Sequence, residues 1–447
     1  MSKLSGLHRK LVYLVAILVL FIPIIVLGRP DEGRARADGD AGGKLAQLRR
    51  EYDLKESSLG KVDPASATMN LVLLGMRGIA ANILWMQAQD LQKTKNWAEL
   101  RAVTESITQL QPHFLKVWDM KAWNLAFNVS AEYDLVSDRY FWVKEGLRYY
   151  QEGVDLNQKY GEMRWRTGNT YAQKIGRADE WKQYRRFFLK DPDTESFPSG
   201  LDPAINPEGK DNYQVAEKWF RDANRVIDET GIEQHVMGRP LFRTYPVRSI
   251  IDFATIKQRE GVFGDLTRQA WETAALEWTQ KYGKEEFDSP GGMVHLEVSE
   301  KEAEAMQNNG EQEKLNWVYR YQDMCNYRYW RMRCFVEREQ NTVEARRELY
   351  QGEVAAAKGD FVEAKRLLES GLEKYEKMLQ KYPELLEHSD TIEDAMIAQL
   401  TWRTVLQVEA IPLPENYPLK AIWEQNAGDI GVYQTEYIRR KGIYAKE

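Results

Sequence analysis

The feature of this sequence that most constrains its fold is a spacing of small and aromatic residues that returns several times along the chain. The first copy runs through Ala88, Leu91, Trp97, Leu100, Ile107 and Pro112. Residues three or four positions apart share one face of an α-helix, so each copy predicts two apolar helices joined by a tight turn. Because the 447 residues include only 15 Pro and 30 Gly, helices are also favoured over a many-turned β fold.

Later copies of this spacing resemble the tetratricopeptide repeat (TPR), whose period is about 34 residues. The clearest copy contains Gly352, Ala355, Gly359-Asp360-Phe361, Ala364 and a late closing Pro383. Another contains Ala254, Lys257, Gly261, Phe263, Leu266 and Ala270, and weaker copies begin at Trp118 and surround Trp165. One hairpin cannot bury its apolar stripe, whereas stacked hairpins can. The sequence therefore predicts an all-α fold, with a transmembrane helix followed by an irregular TPR-like α-solenoid of helical hairpins; the alternative is an irregular helical bundle.

The transmembrane helix is predicted from an apolar N-terminal segment, Leu11–Leu27. Its sequence, LVYLVAILVLFIPIIVL, contains no charge, and as a helix it extends about 25 Å, near the lower limit for crossing a bilayer core. Nearly equal numbers of Lys and Arg flank the segment, so the positive-inside rule gives only a slight indication of its orientation. His8 and the amino terminus favour a cytoplasmic N-terminus. We expect a single-pass protein of the cytoplasmic membrane with its body outside the cytoplasm.

Two alternatives concern this part of the chain. Leu11–Leu27 could belong to a cleaved signal peptide, with Ala35-Arg36-Ala37 as the cleavage site, although that site lies well beyond the apolar run. A second apolar run, Met69–Met86, could be a second membrane span. Its Arg77 and polar face favour a packed core helix instead.

Composition divides the chain into five segments. These are a cytoplasmic tail and transmembrane anchor (1–28), a polar linker and short helix (29–66), TPR-like hairpins (67–190), a loop insertion with TPR-like hairpins (191–298), and long charged helices with a TPR-like hairpin and a C-terminal helix (299–447). Pro and Gly predict irregular connections at 189–211 and 230–248. The sequence predicts one long charged helix at Ser299–Gln351. In such a helix Cys325 and Cys334 would lie too far apart to form a disulfide. A last short helix is predicted at Leu419–Tyr437.

Residues 84–190 resemble in sequence a group of uncharacterised bacterial membrane-anchored proteins with TPR-like helices. The resemblance extends over about residues 70–285 and is carried by LWMQAQDLQKTKNWAELRAVTESITQLQPHFLKVWDMKAWNLAFNVS, FWVKEGLRYYQEGVDLN, DNYQVAEKWFRDA and GVFGDLTRQAWETAALEWTQKYG. Some members of the group carry the label "iron responsive element", which names an RNA structure. The resemblance implies a helical-repeat body behind an anchor, and no particular activity.

The sequence shows no motif of a catalytic, cofactor or metal site. The five histidines lack metal-ligand spacing, and there is no H-E-x-x-H, C-x-x-C, phosphate-binding loop or G-x-S-x-G. The net charge of −6, without a basic block, disfavours a nucleic-acid partner. We therefore expect no cofactor, no metal and no catalysis. An enzyme whose residues converge only in three dimensions is the alternative.

The resemblance to the TPR also implies which residues would contact a partner. In that family, fixed positions of the first helix of each hairpin face a concave groove. The matching positions here are Trp85, Gln89, Lys116, Asp119, Trp123, Arg346 and Glu353. Trp85 and Trp123 could equally be core aromatics. The sequence therefore predicts a membrane-tethered scaffold or adaptor that binds peptide segments or helices of other proteins, with a self-associating structural envelope protein as a further alternative.

Overall fold

A computed structural model of the chain describes residues 77–444 and the isolated positions Val15 and Val19. Residues 77–444 are helical apart from turns, loops and one antiparallel bridge between Phe287 and Val294. The all-α prediction is therefore confirmed for the described part of the chain.

The chain divides into two compact units, with the boundary between Val117 and Trp118. The described part of the first unit contains α1 (Arg77–Lys93), α2 (Trp97–Leu110) and the first residues of α3 (Leu115–Trp123). The helices that follow in the second unit are α4 (Val136–Leu156), α5 (Gly161–Thr170), α6 (Trp181–Leu189), α7 (Asn212–Thr230), α8 (Arg239–Arg243), α9 (Tyr245–Arg259), α10 (Asp265–Leu276), α11 (Glu300–Asn308), α12 (Gln312–Cys325), α13 (Tyr327–Glu337), α14 (Gln340–Ala357), α15 (Phe361–Lys381), α16 (Ser389–Val408), α17 (Lys420–Gln425) and α18 (Ile430–Tyr444). Helices α3, α5 and α10 each continue into a π-helical turn, at Asn124–Val129, Tyr171–Ile175 and Glu277–Lys281.

The first copy of the sequence pattern forms the hairpin of α1 and α2. The side chain of Asn96 accepts a hydrogen bond from the backbone N–H of Glu99 and so caps α2. Ala88 on α1 and Ile107 on α2 are fully buried, and α2 ends just before Pro112. As predicted, the small residue Ala88 is packed inside the hairpin, Trp97 opens the second helix, and Pro112 lies just beyond its end.

The clearest copy of the pattern forms the hairpin of α14 and α15. Gly359 has φ +82°, which lets the chain turn between the helices, and Asp360 accepts a hydrogen bond from the N–H of Glu363. The helices approach so closely that a Cβ on Gly352 would lie 2.7 Å from Cγ of Leu368. Helix α15 is long, as its late closing proline predicts.

The Pro- and Gly-rich connection between α6 and α7 is irregular, as predicted, and it is packed against the protein rather than projecting from it. Nζ of Lys144 on α4 lies 2.7 Å from Oδ2 of Asp191 and 3.5 Å from Oδ2 of Asp202. All three side chains are at most 4% exposed, and Ile205 joins the core. A buried lysine therefore holds the connection at two points.

Three sequence predictions about helix boundaries are wrong in detail. The connection predicted at 230–248 contains α8 and the start of α9. The single helix predicted at Ser299–Gln351 is four helices. Gly310 (φ +78°) and Asn326 (φ +51°) adopt left-handed backbone conformations at the first two breaks, and Glu339 is extended (φ −70°, ψ 136°) at the third. The C-terminal helix predicted at Leu419–Tyr437 is divided into α17 and α18. Cys325 and Cys334 consequently lie on different helices, and both are free and buried, so the expectation that they are not bridged is confirmed.

The predicted anchor, Leu11–Leu27, lies outside the described residues except for Val15 and Val19, as do the linker and the signal-peptide cleavage site. Among the residues that are described, no helix is both long and apolar enough to cross a membrane. Helix α1, which holds the described part of the second apolar run, packs against α2 and buries Ala81 and Ala88.

Candidate partner-binding surface

Three of the predicted partner-contact residues belong to the first unit. The ring of Trp85 is half-buried and lies 5.3 Å from the ring of Phe114, centroid to centroid. Gln89 and Lys116 are exposed. In this unit Trp85 is therefore a packing residue, and Gln89 and Lys116 present polar groups at the surface.

Asp119 has an internal role at the start of the second unit. Its carboxylate accepts a hydrogen bond of 2.8 Å from the hydroxyl of Tyr150 on α4, and it lies 3.4 Å from Nη2 of Arg166 on α5. Burial and this carboxylate together raise the pKa of Tyr150 well above its usual value. Asp119 therefore joins three helices.

Trp123, the last residue of α3, lies at the surface and is 40% exposed. Its indole stacks on the ring of Phe127, with the centroids 3.8 Å apart and the planes at 11°. Phe127 belongs to the π-helical turn after α3, and such turns are frequent at functional sites. The two rings form a flat aromatic pair in which the indole of Trp123 is the more exposed ring.

More apolar side chains are exposed as the chain continues into α4. Tyr133 is 38%, Leu135 64% and Phe141 48% exposed. The ring of Trp142 lies 5.8 Å from that of Tyr133 and 5.4 Å from that of Phe141. Phe127 and Trp142 are partly buried, and the other members are exposed. We call these six side chains the exposed aromatic stretch: Trp123, Phe127, Tyr133, Leu135, Phe141 and Trp142. Large apolar side chains grouped at a surface mark interaction sites in soluble folded domains.

The exposure of Phe141 follows from the helical period of α4. The buried side chains of this helix recur at Tyr140, Val143, Leu147 and Tyr150, a spacing that places them on one face. Phe141 lies one position, or about 100°, away from that face. The helical period of α4 could therefore have predicted from the sequence that Phe141 is exposed, although Phe141 does not occupy a position of the repeat pattern.

Basic groups border the exposed aromatic stretch. Nζ of Lys174, in the π-helical turn after α5, lies 5.3 Å from the centroid of the Phe127 ring. Lys174 makes no ion pair with any residue of the described part, and burial lowers the pKa of its amine. Nε of Arg139 donates a hydrogen bond to the carbonyl of Tyr133, and its guanidinium also pairs with Glu180. Lys174 therefore brings an amine that has no ion-pair partner in the described part of the chain to the edge of an apolar surface.

The last two predicted residues, Arg346 and Glu353, line a different part of the second unit. Both are on α14 and border a cavity of about 90 Å³ that is also lined by residues of α9, α13 and α16. The guanidinium of Arg346 pairs with both oxygens of the buried Glu337, at 2.5 and 2.7 Å, and lies 3.1 Å from Asp394. Arg346 is therefore engaged within the fold.

The predicted contact residues thus lie in several places, and only Trp123 lies in the exposed aromatic stretch. None of the other members of that stretch came from the repeat positions, and no member lines the cavity beside Arg346. Within residues 77–444, no group of three or more His, Cys, Asp or Glu side chains is arranged to hold a metal ion. Compared with known proteins, the sequence matches no family model and no curated protein.

Proposed function

We propose that the protein is a membrane-tethered scaffold that binds another protein through the exposed aromatic stretch and catalyses no reaction. The observation that carries this proposal is the exposure of Trp123, Leu135 and Phe141 on one short part of the chain. Aromatic residues are enriched in the cores of protein interfaces because they bury a large area with little loss of side-chain freedom. The energetic cost of leaving them in water is recovered when a partner covers them.

The partner's chemistry is suggested by the cation beside these rings. Lys174 is half-buried, and burial disfavours its charged form. A carboxylate brought to Lys174 by a partner would stabilise that charge, while the partner's apolar side chains cover the aromatic rings. We therefore propose that the partner contributes an amphipathic segment with an acidic residue next to its apolar face.

The helical-repeat body is the second part of the proposal. The hairpins α1/α2 and α14/α15 each have the small residue, cap and turn that a TPR-like unit requires. Hairpins of this kind bury their apolar stripes by stacking on their neighbours. We propose that the body is an irregular TPR-like solenoid that holds the exposed aromatic stretch on a rigid support.

The membrane tether is the third part, and it rests on the charge-free sequence Leu11–Leu27. We propose that the N-terminus lies in the cytoplasm and the body outside it. Alkaline phosphatase fused after Glu447 should then be active in cells, because this enzyme requires an oxidising compartment. The matched fusion lacking residues 1–28 should be inactive. Equal activity in both fusions would contradict the tether.

Site-specific photocrosslinking in intact cells tests partner binding. A photoreactive phenylalanine analogue replaces Phe141 in the full chain, and the matched control carries it at Val362, which is 75% exposed on α15. We expect a crosslink to a different protein from position 141 and none from position 362. Lys174→Glu should weaken the crosslink by repelling the acidic residue of the partner.

The other outcomes distinguish the alternatives. Crosslinks only between copies of this chain would replace the scaffold proposal with a self-associating structural protein. Equal crosslinking from positions 141 and 362 would show that the exposed aromatic stretch has no special affinity for a partner, and the proposal would be abandoned.

A further inference from the structure

A second cavity in the second unit carries a charge that the fold does not neutralise. It has a volume of about 220 Å³ and lies beside α9. Its polar lining comes from Gln173, Arg177, Thr244, Arg248, Ser249 and Asp252. A cavity of this size holds several water molecules, since each occupies about 30 Å³ in the liquid. It therefore has room for a small organic or inorganic ion.

Arg248 is the unusual residue of this cavity. Its guanidinium lies 3.8 Å from the centroid of the Trp330 ring, and its Nε is buried without a hydrogen-bond partner. The guanidinium makes no hydrogen bond or ion pair with any residue in the described ranges. Burial lowers the pKa of Arg248, which is the direction expected when a cation loses water without gaining a full counter-charge.

The nearest carboxylate of the cavity is already paired. Oδ1 of Asp252 accepts a hydrogen bond of 2.6 Å from Nη2 of Arg177, and the charge of Asp252 raises the pKa of Arg177. A further cation, Arg333, lies 5.5 Å from the centroid of the same Trp330 ring. Within the cavity lining, two arginines therefore face one carboxylate, and an excess positive charge remains.

Other buried arginines of this unit show how the fold normally treats a guanidinium. Arg185 lies 2.7 Å from Asp211 and 2.8 Å from Glu260, and Arg243 pairs with Asp228. A buried charge without a partner is costly, so proteins rarely retain one without a reason. The partner that Arg248 lacks is therefore expected to come from outside the described chain.

We propose that this cavity binds a small free oxyanion, a carboxylate or a phosphate group, through the guanidinium of Arg248. The planar guanidinium offers parallel N–H donors that match two oxygens of such a group. Gln173 and Ser249 provide further polar groups at the cavity wall, and Phe220 and Tyr245 provide an apolar one. This site is independent of the exposed aromatic stretch and of the proposed scaffold function.

Thermal unfolding of the detergent-purified full-length chain tests the proposal. The probes are sodium phosphate and sodium acetate, each compared with sodium chloride at the same ionic strength. A ligand that binds only the folded state raises the melting temperature as its concentration exceeds the dissociation constant. We expect one of the two probes to raise it well beyond the effect of chloride; the probe that does so identifies the oxyanion.

Two variants connect that shift to Arg248. Arg248→Met keeps most of the side-chain volume and removes the charge, so the shift should disappear. The matched control is Arg225→Met, which removes an arginine that is 55% exposed on α7 and pairs with Asp222 and Glu229; it should keep the shift. An equal shift in Arg248→Met and the wild type, or no shift with either probe, would overturn the proposal.

A measurement without any probe tests the same reasoning. In chloride alone, Arg248→Met should melt at or above the temperature of the wild type, because it removes an uncompensated buried charge. A clearly lower melting temperature would show that Arg248 stabilises the fold by itself, and the site would be rejected. Equilibrium dialysis with radiolabelled phosphate or acetate, whichever raised the melting temperature, provides a direct readout on the wild type and Arg248→Lys. Binding should weaken in the lysine variant, which cannot make the two parallel bonds.

Discussion

Lys144 offers a quantitative test of how the irregular connection between α6 and α7 is held in place. Its ammonium lies 2.7 Å from Asp191 and 3.5 Å from Asp202, and all three side chains are almost completely buried. Lys144→Met preserves the alkyl part of the side chain but removes its charge. Asp202 then keeps Arg148, whose Nη2 is 2.5 Å away, whereas Asp191 loses its counter-ion.

The expected loss follows from that imbalance. Asp191 retains a hydrogen bond of 3.0 Å from the backbone N–H of Asp193, but no cation remains within ion-pair distance among the described residues. Removing one partner of a buried ion pair costs about 3–5 kcal/mol, because the other charge stays buried. We expect Lys144→Met to reduce the free energy of unfolding by an amount in this range.

Urea denaturation followed by circular dichroism measures this change on the full-length protein in detergent. The matched control is Lys218→Met. Lys218 lies 2.6 Å from Glu208, but both side chains are largely exposed, so water screens the pair and its loss should leave stability nearly unchanged. The double variant Lys144→Met/Asp191→Asn should recover part of the loss, because the unpaired carboxylate is gone. Equal losses in the two single variants, or no recovery in the double variant, would refute the reasoning.

Two further predictions concern helix packing and pH. Gly352→Ala should reduce the free energy of unfolding by about 1–3 kcal/mol, because the new Cβ would lie 2.7 Å from Cγ of Leu368. In the control Gly431→Ala the new Cβ meets nothing within 4 Å, so this variant should not destabilise α18. Thermal melts in which Gly431→Ala is the less stable variant would contradict the packing. Burial opposes ionisation of Asp211, but Arg185, together with Lys257 and the backbone N–H of Tyr213, outweighs it and lowers the pKa of this carboxyl below its usual 3.8. The stability that Asp211 contributes is therefore complete above pH 3.8 and is lost as the pH falls through the lowered folded-state pKa. Urea denaturation at about pH 7 should show a lower midpoint for Asp211→Asn than for the wild type, and this difference should be smaller below pH 3.8. A difference in midpoint that does not change with pH would be inconsistent with the ion pair.

Local helix pairs were predictable from the sequence because the information that forms them is local. In the α14/α15 hairpin, Gly359 supplies the left-handed turn and Asp360 the helix cap, while Gly352 permits close approach. Each of these requirements restricts which residue type can occupy one position. The spacing of such residues therefore identifies the hairpin before any long-range contact is known.

The break at Asn326, between α12 and α13, was not predictable in the same way. The residues around Asn326 continue a helical pattern, and Asn tolerates both helical and left-handed conformations. The choice between them is made by contacts with distant parts of the chain. One such contact is the hydrogen bond from Nε1 of Trp278 to the carbonyl of Tyr327.

The candidate sites also differ in whether local sequence could have predicted them. Trp123 was selected by its place in a repeat, and Phe141 could have been selected by its position off the buried stripe of α4. Arg248 could not, because its environment is created by Trp330, which lies on another helix far along the sequence. A missing counter-charge is a property of the folded arrangement, and no spacing in the sequence encodes it.

The most direct test of the central proposal is the affinity of the protein captured by the crosslink for the purified full-length chain. Surface plasmon resonance should show binding weakened at least about tenfold, or about 1.4 kcal/mol, by Phe141→Ser. The matched exposed change Val362→Ser should leave the affinity unchanged. Equal affinities for both variants and the wild type would mean that the partner binds elsewhere, and the exposed aromatic stretch would lose its proposed role.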